Sequence, residues 1–169
     1  MDIIEFAMQM ELDGKEFYER SAESVSEPAL KEILTYLAEE EQRHYEIFKH
    51  LSGGNTRRAR KELNGKNSTM STIKNVFVQL MDDDPAHDFG IDARSIWSEA
   101  LKLEVSAERM YRDEANKEKN SERKNLLNSI ADEERSHVYL IDNMLSFLAD
   151  PQSFVVSQDY SAFKSWEGR

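Results

Sequence analysis

Apolar residues recur along this chain at steps of three and four. On one stretch Leu34, Leu37, Glu41, His44, Phe48 and Leu51 advance by 3, 4, 3, 4 and 3. That is the stripe of a helix facing a core. The same rhythm predicts a helix over 3–24 and a turn near Ser26. Glu27-Pro28 suits the first turn of a second helix, which runs to about Leu51 and stops at Gly53-Gly54. A polar, Gly-containing stretch from Asn55 to Thr69 follows, with Arg57, Arg58, Arg60 and Lys61 clustered in it. Ile73, Phe77, Leu80 and Met81 predict a short helix over 71–81, ended by Asp82-Asp83-Asp84-Pro85. Long helices are predicted over 92–117 and 121–149, the last stopped by Pro151. Beyond it, Phe154, Tyr160, Phe163 and Trp166 show no helical period, so residues 150–169 read as a non-helical aromatic tail. Strand-like alternation is nearly absent.

The pattern repeats. A shift of 93 residues lays 1–51 on 94–144 without a gap, with 11 identities in 51 positions. Glu11 falls on Glu104, Tyr18 on Tyr111, Glu41 on Glu134 and His44 on His137. Ala7/Ala100, Ala22/Ala115, Leu34/Leu127 and Ala38/Ala131 also match. The chain therefore reads as two helical hairpins, 1–51 and 92–149, joined by a long crossover at 52–91 that carries the short helix. One long crossover is the connectivity of an all-α, ferritin-like four-helix bundle.

The polar members of the apolar stripes carry the chemistry. Ile4, Ala7, Glu11, Gly14 and Tyr18 share a face of the first helix; Trp97, Ala100, Glu104, Ala107 and Tyr111 share one on the third. The fourth repeats the second with Leu127, Ile130, Glu134, His137, Ile141, Met144 and Leu148. Each long helix so directs one Glu inward, and two add a His one turn on. Burying four carboxylates together is prohibitive unless their charge is cancelled. Two divalent cations cancel it, and carboxylate with imidazole suits iron, manganese or zinc. A Glu from each of two helices plus Glu-x-x-His from the other two is the known ligand pattern of ferritin-like di-iron and di-manganese proteins. The competing reading, a metal-free bundle, must explain two Glu-x-x-His pairs, two single Glu residues and equal spacings from 11 to 41 and from 104 to 134.

Tyr18 and Tyr111 lie two turns beyond a ligand Glu. They read either as core aromatics or as supports whose hydroxyls donate to ligand carboxylates and pass a proton or an electron. Gly14 and Ala107 either leave room at the metals or permit close helix packing. His50 falls off the stripe and reads as surface. His87 with Asp82–Asp84 reads as a solvated loop in preference to an accessory metal site. The basic cluster at Arg57–Lys61 reads as a solvated loop or a dock for an acidic electron donor.

Composition narrows the setting. The chain has 169 residues, 33 acidic and 22 basic, with a net charge of −11. That excess argues against nucleic acid or an anionic membrane as partner. Cysteine is absent, which excludes disulfides, thiolate metal sites and thiol nucleophiles. No signal-like segment opens the chain and no apolar run is long enough to span a bilayer, so a cytoplasmic location is expected.

The motifs Met10-Glu11 with Phe17-Tyr18, Leu37-Ala38-Glu39-Glu40-Glu41-Gln42-Arg43-His44, and Ile130-Ala131-Asp132-Glu133-Glu134-Arg135-Ser136-His137 resemble those of the rubrerythrin family's ferritin-like domain. The resemblance covers residues 3–149. It implies two iron ions (or mixed iron with zinc or manganese), with Glu41 and Glu134 bridging, Glu11 and Glu104 terminal, and one His on each metal. It also implies reduction of hydrogen peroxide, or of oxygen, each metal supplying one electron. Two departures bear on this. Rubrerythrins usually carry a Cys-ligated rubredoxin domain; without Cys, electrons are expected from a separate donor protein. They also tend to carry a further carboxylate one turn after the third-helix Glu, where this chain has Ala107; the symmetric six-ligand set is closer to bacterioferritin. Two other functions stay open: a ferroxidase or iron-handling protein, and an interaction module with a structural metal. A homodimer or larger homo-oligomer is expected from family habit.

Overall fold

The computed structural model describes residues 2–65, 69–83 and 89–166. Among them every regular element is helical: α1 Ile3–Ser24, α2 Pro28–Ser52, α3 Thr56–Asn64, α4 Thr69–Asp83, α5 Gly90–Lys117, α6 Ser121–Ala149, α7 Pro151–Val155 and α8 Gln158–Ser165. The four long helices form two antiparallel hairpins, α1 with α2 and α5 with α6, as the repeat predicts. Local chemistry fixes their starts. Glu5 accepts from the Asp2 N–H at 3.2 Å ahead of α1. Pro28 occupies the first turn of α2. Asn120 accepts from the N–H groups of Glu122 and Arg123, both at 3.0 Å, and starts α6.

The stripes face inward as predicted, and the apolar core divides in two. One cluster gathers Tyr18, Ile33, Leu34, Leu37, Trp97, Ile141 and Phe147 with residues of α4, α7 and α8. The other gathers Ile4, Ile47, Phe48, Tyr111, Leu126 and Ile130. Between them, on α2 and on α6, lie the Glu and His residues of each stripe. A polar band therefore crosses the bundle at mid-height.

Three expectations are corrected. The stretch after Asn55 is not wholly loop: Asn55 caps α3, accepting from the Arg58 N–H at 3.1 Å. Only Ala59 of α3 is buried, so no apolar stripe announced it. Arg57, Arg58, Arg60 and Lys61 ride on this helix, and Arg60 pairs with Glu122 of α6. Second, α4 and α5 each begin two residues earlier than the spacing predicts. Third, the segment after Ala149 carries two helices, α7 and α8. Pro151 ends α6 and also opens α7, with Asp150 accepting from the Ser153 N–H at 3.1 Å. Helices of five and eight residues are too short to display a 3.6-residue period. They dock on the chain's own bundle: Phe163 packs edge-on against Phe77 at 4.9 Å, and the Tyr160 hydroxyl donates to Asp82 at 2.6 Å. Burying one such phenylalanine contributes about 1.5–3 kcal/mol. Of the loop expected at Asp82–Asp84 and His87, Asp82 and Asp83 instead close α4, and Asp84 and His87 lie outside the described residues.

Candidate metal centre

Glu11, Glu41, His44, Glu104, Glu134 and His137 converge in the polar band, and all six are buried. Their ligand atoms form two groups, each within 4.8 Å: Glu11, Glu41, His44 and Glu134, and then Glu41, Glu104, Glu134 and His137. The groups share Glu41 and Glu134, the two carboxylates expected to bridge. Glu134 lies between the imidazoles. One of its oxygens is 3.0 Å from His44 Nδ1 and the other 3.2 Å from His137 Nδ1. Glu11 Oε2 is 3.6 Å from His44 Nδ1, and Glu104 Oε2 is 3.4 Å from His137 Nδ1.

Whether these residues suit a metal pair is answered by what they lack. Buried atoms without a hydrogen-bond partner include Glu11 Oε2, Glu41 Oε1, both oxygens of Glu134, and Nδ1 of both His44 and His137. Leaving even one such group unpaired costs about 1–3 kcal/mol. Gathered around one interior point, they are the inward donors of a coordination site. The donor set, all hard oxygen and imidazole nitrogen, suits iron, manganese or zinc.

The electrostatics agree. Burial, with Glu11 and its other acidic neighbours, pushes the Glu41 carboxyl well above its ordinary value. Burial likewise raises Glu134 to about 7. Burial opposes charge on His44 and His137, but Glu134 beside the first and Glu104 beside the second outweigh it and raise both. Glu104 moves the other way: His137 overcomes the effect of burial and lowers it. Protons thus offset the crowded carboxylates in the metal-free protein, and metal ions would displace them.

The tyrosines cross over. Tyr18 of α1 donates to Glu104 of α5, and Tyr111 of α5 donates to Glu11 of α1. Each hydroxyl serves the carboxylate of the opposite hairpin. Burial first, then the adjacent carboxylate, raises both phenols far above their ordinary value, so they remain donors. Gly14 has a specific reason to be glycine. A Cβ there would lie 2.8 Å from Glu41 Oε2, so the missing side chain clears space for a shared carboxylate. His50, off the stripe, is half-buried in the last turn of α2.

Sequence reasoning missed a layer behind the imidazoles. Glu40 and Glu133 are buried at matching places of the repeat. Glu133 Oε2 lies 2.9 Å from His44 Nε2, and Glu40 Oε2 lies 3.9 Å from His137 Nε2. Arg43 ion-pairs with both acids. Burial works against the charge of Glu40, yet His137 and Arg43 hold its carboxyl far below the usual range. The available signal was the identity of Glu40 and Glu133 under the 93-residue shift, since each sits beside a ligand Glu and off the central stripe.

A cavity of about 290 Å³ opens between α1 and α5 and reaches this centre. Met10, Gly14, Phe17, Leu103 and Ala107 line it, Glu11, Glu41 and Glu104 lie along it, and Asp13 and Glu99 add charge. A larger cleft of about 410 Å³, between the start of α2 and α4, holds none of the six.

The rubrerythrin family model matches residues 2–145. The chain belongs to the rubrerythrin family. No curated protein and no solved structure matches it. The match takes in α1, α2, α5 and all but the last turn of α6. The buried carboxylate–imidazole cluster fits the di-iron site that this family implies. No helix among the described residues is long and apolar enough to cross a membrane.

Proposed function

We propose that this rubrerythrin-family chain reduces hydrogen peroxide, or oxygen, at two iron ions held by Glu11, Glu41, His44, Glu104, Glu134 and His137. Electrons come from a donor outside these 169 residues, none of which is a cysteine that could hold a rubredoxin-type centre. The observation that carries the reading is the set of buried, unpartnered ligand atoms at the end of an open cavity. Iron ions held there would supply two electrons to the oxidant, one from each metal. The protein's residues do the rest. Glu41 and Glu134 tie the two positions together. Tyr111 and Tyr18 hold Glu11 and Glu104 and keep an O–H proton at each carboxylate. The Met10, Phe17 and Leu103 walls narrow the approach to a small molecule.

The test is anaerobic loading with Fe(II), followed by rapid mixing with peroxide or oxygen while the near-ultraviolet absorption of oxidised iron is recorded. The expected result is two iron ions per chain, oxidised faster by peroxide than by oxygen, with turnover only when an external reductant is added. Two tightly held zinc ions that iron cannot replace would overturn it.

Asp13 and Glu99 at the cavity favour a second reading, in which ferrous ions are drawn in as substrate and the protein is a ferroxidase. Uptake of many iron ions per chain, with oxygen the faster oxidant, would select it.

A further inference from the structure

The centre is two-fold in its ligands but not in what stands behind them. His44 Nε2 is within hydrogen-bond distance of Glu133, at 2.9 Å. The matching contact, His137 Nε2 to Glu40, is 3.9 Å, and His137 Nε2 has no hydrogen-bond partner. Glu40 is taken by Arg43, whose Nη2 lies 3.0 Å from Glu40 Oε2 and whose Nε lies 3.3 Å from Glu40 Oε1. A forked guanidinium–carboxylate pair of this kind fixes the carboxylate's position. The same guanidinium reaches Glu133, which still serves His44. The repeat carries no second guanidinium at the matching position. The position matching Arg43 is Ser136, whose hydroxyl turns back to the Asp132 carbonyl of its own helix at 3.2 Å. The position matching Tyr36, whose ring stands edge-on to His137, is Ser129.

We propose that Arg43 makes the two metal positions unequal, so that they fill in order, the Glu11–His44 position before the Glu104–His137 position. The inference rests on the metal-site reading above. Its physical basis is that a carboxylate on the remote nitrogen of a ligand imidazole fixes the ring's orientation and strengthens its donation to a metal. His44 has that support at hydrogen-bond distance, whereas Glu40 stands 3.9 Å from His137. Arg43 is thus a positioning residue that touches neither metal position and acts through Glu40 and Glu133.

Anaerobic titration of the metal-free protein with Co(II), followed by visible absorption, tests this. The wild-type chain should bind two ions in steps about tenfold or more apart in affinity, the scale of effect known for such outer partners. Glu133→Gln should weaken the tighter step about tenfold, and Glu40→Gln should move either step by less than about threefold. Arg43→Ser, which gives position 43 the residue of its repeat partner, should release Glu40 toward His137 and bring the steps together. Circular dichroism checks that each variant folds; if Arg43→Ser does not, the Glu133 and Glu40 pair still decides. Two equal steps in the wild type, or equal losses in Glu40→Gln and Glu133→Gln, overturn the inequality alone. A chain that binds no cobalt overturns the metal-site reading as well.

Discussion

The first hairpin and the second present the same groups to the interior: a Glu, a Tyr two turns on, and a Glu-x-x-His. They differ in the residues immediately around those groups: Gly14 against Ala107, Tyr36 against Ser129, and Arg43 against Ser136. The matching residues are those whose charge must sum to something a metal pair can neutralise. The differing ones set how much room and support each ligand receives. Two-fold ligand chemistry can therefore coexist with two unequal metal positions.

Removing a shared group breaks both halves together. Glu134 stands between both imidazoles, so Glu134→Ala should weaken both metal sites by at least about a hundredfold, the top of the range known for outer partners of ligands. The metal-free variant should keep its helical spectrum, because a buried carboxylate without its metal is a burden on the fold. Metal analysis after dialysis reads the outcome. Loss of one ion with retention of the other would show that Glu134 is not shared.

A smaller effect separates the halves at Gly14. Gly14→Ala puts a methyl against Glu41 Oε2, at 2.8 Å before any adjustment. It should raise the helix's own stability by up to about 1 kcal/mol and weaken metal binding about tenfold. Ala107→Gly should lose about 1 kcal/mol of stability and leave metal binding nearly unchanged. Paired melting curves and metal titrations check both. Equal effects on binding would mean that the shared carboxylates do not lean on α1 more than on α5.

The mildest perturbation is pH. Burial raises the folded-state value of Glu134 from 4.5 to about 7. The folded chain then binds that proton more tightly than the unfolded one, so metal-free stability falls as pH rises between those values. His44 and His137, also raised, act in the same direction: their contribution is full below 6.5 and is lost as pH climbs through their folded values. Glu104, lowered, opposes them, stabilising above 4.5 and losing its contribution on acidification. Metal ligation requires deprotonated groups and strengthens over the same window. The melting-temperature gap between metal-loaded and metal-free protein should therefore widen from about pH 5 to about pH 8. Calorimetry of both forms measures it, and a constant gap would show that protons and metal do not compete for the same atoms.

Much of this was legible beforehand because long amphipathic helices write their burial into the sequence. The stripes at Leu34–Leu51 and Leu127–Leu148 both located the helices and exposed their anomalous Glu and His members. Short elements carry no such record. The helix at Thr56–Asn64 buries one residue, and the two after Pro151 span too few turns to show a period. Glu40 and Glu133 escaped for another reason. A helix position beside the central stripe is ambiguous until the neighbouring helix is placed.

The sequence by itself determined the four long helices, their pairing by repeat, the six inward ligand candidates and the absence of any thiol chemistry. Those follow from periodicity and from the cost of burying charge, both properties of one chain position at a time. Only the tertiary structure decided that each tyrosine serves the opposite hairpin, that Gly14 clears space for Glu41, and that Arg43 pairs with Glu40, 3.9 Å from His137. Those depend on distances of a few ångströms between residues up to 100 positions apart. Only the packing of one helix against another sets such distances.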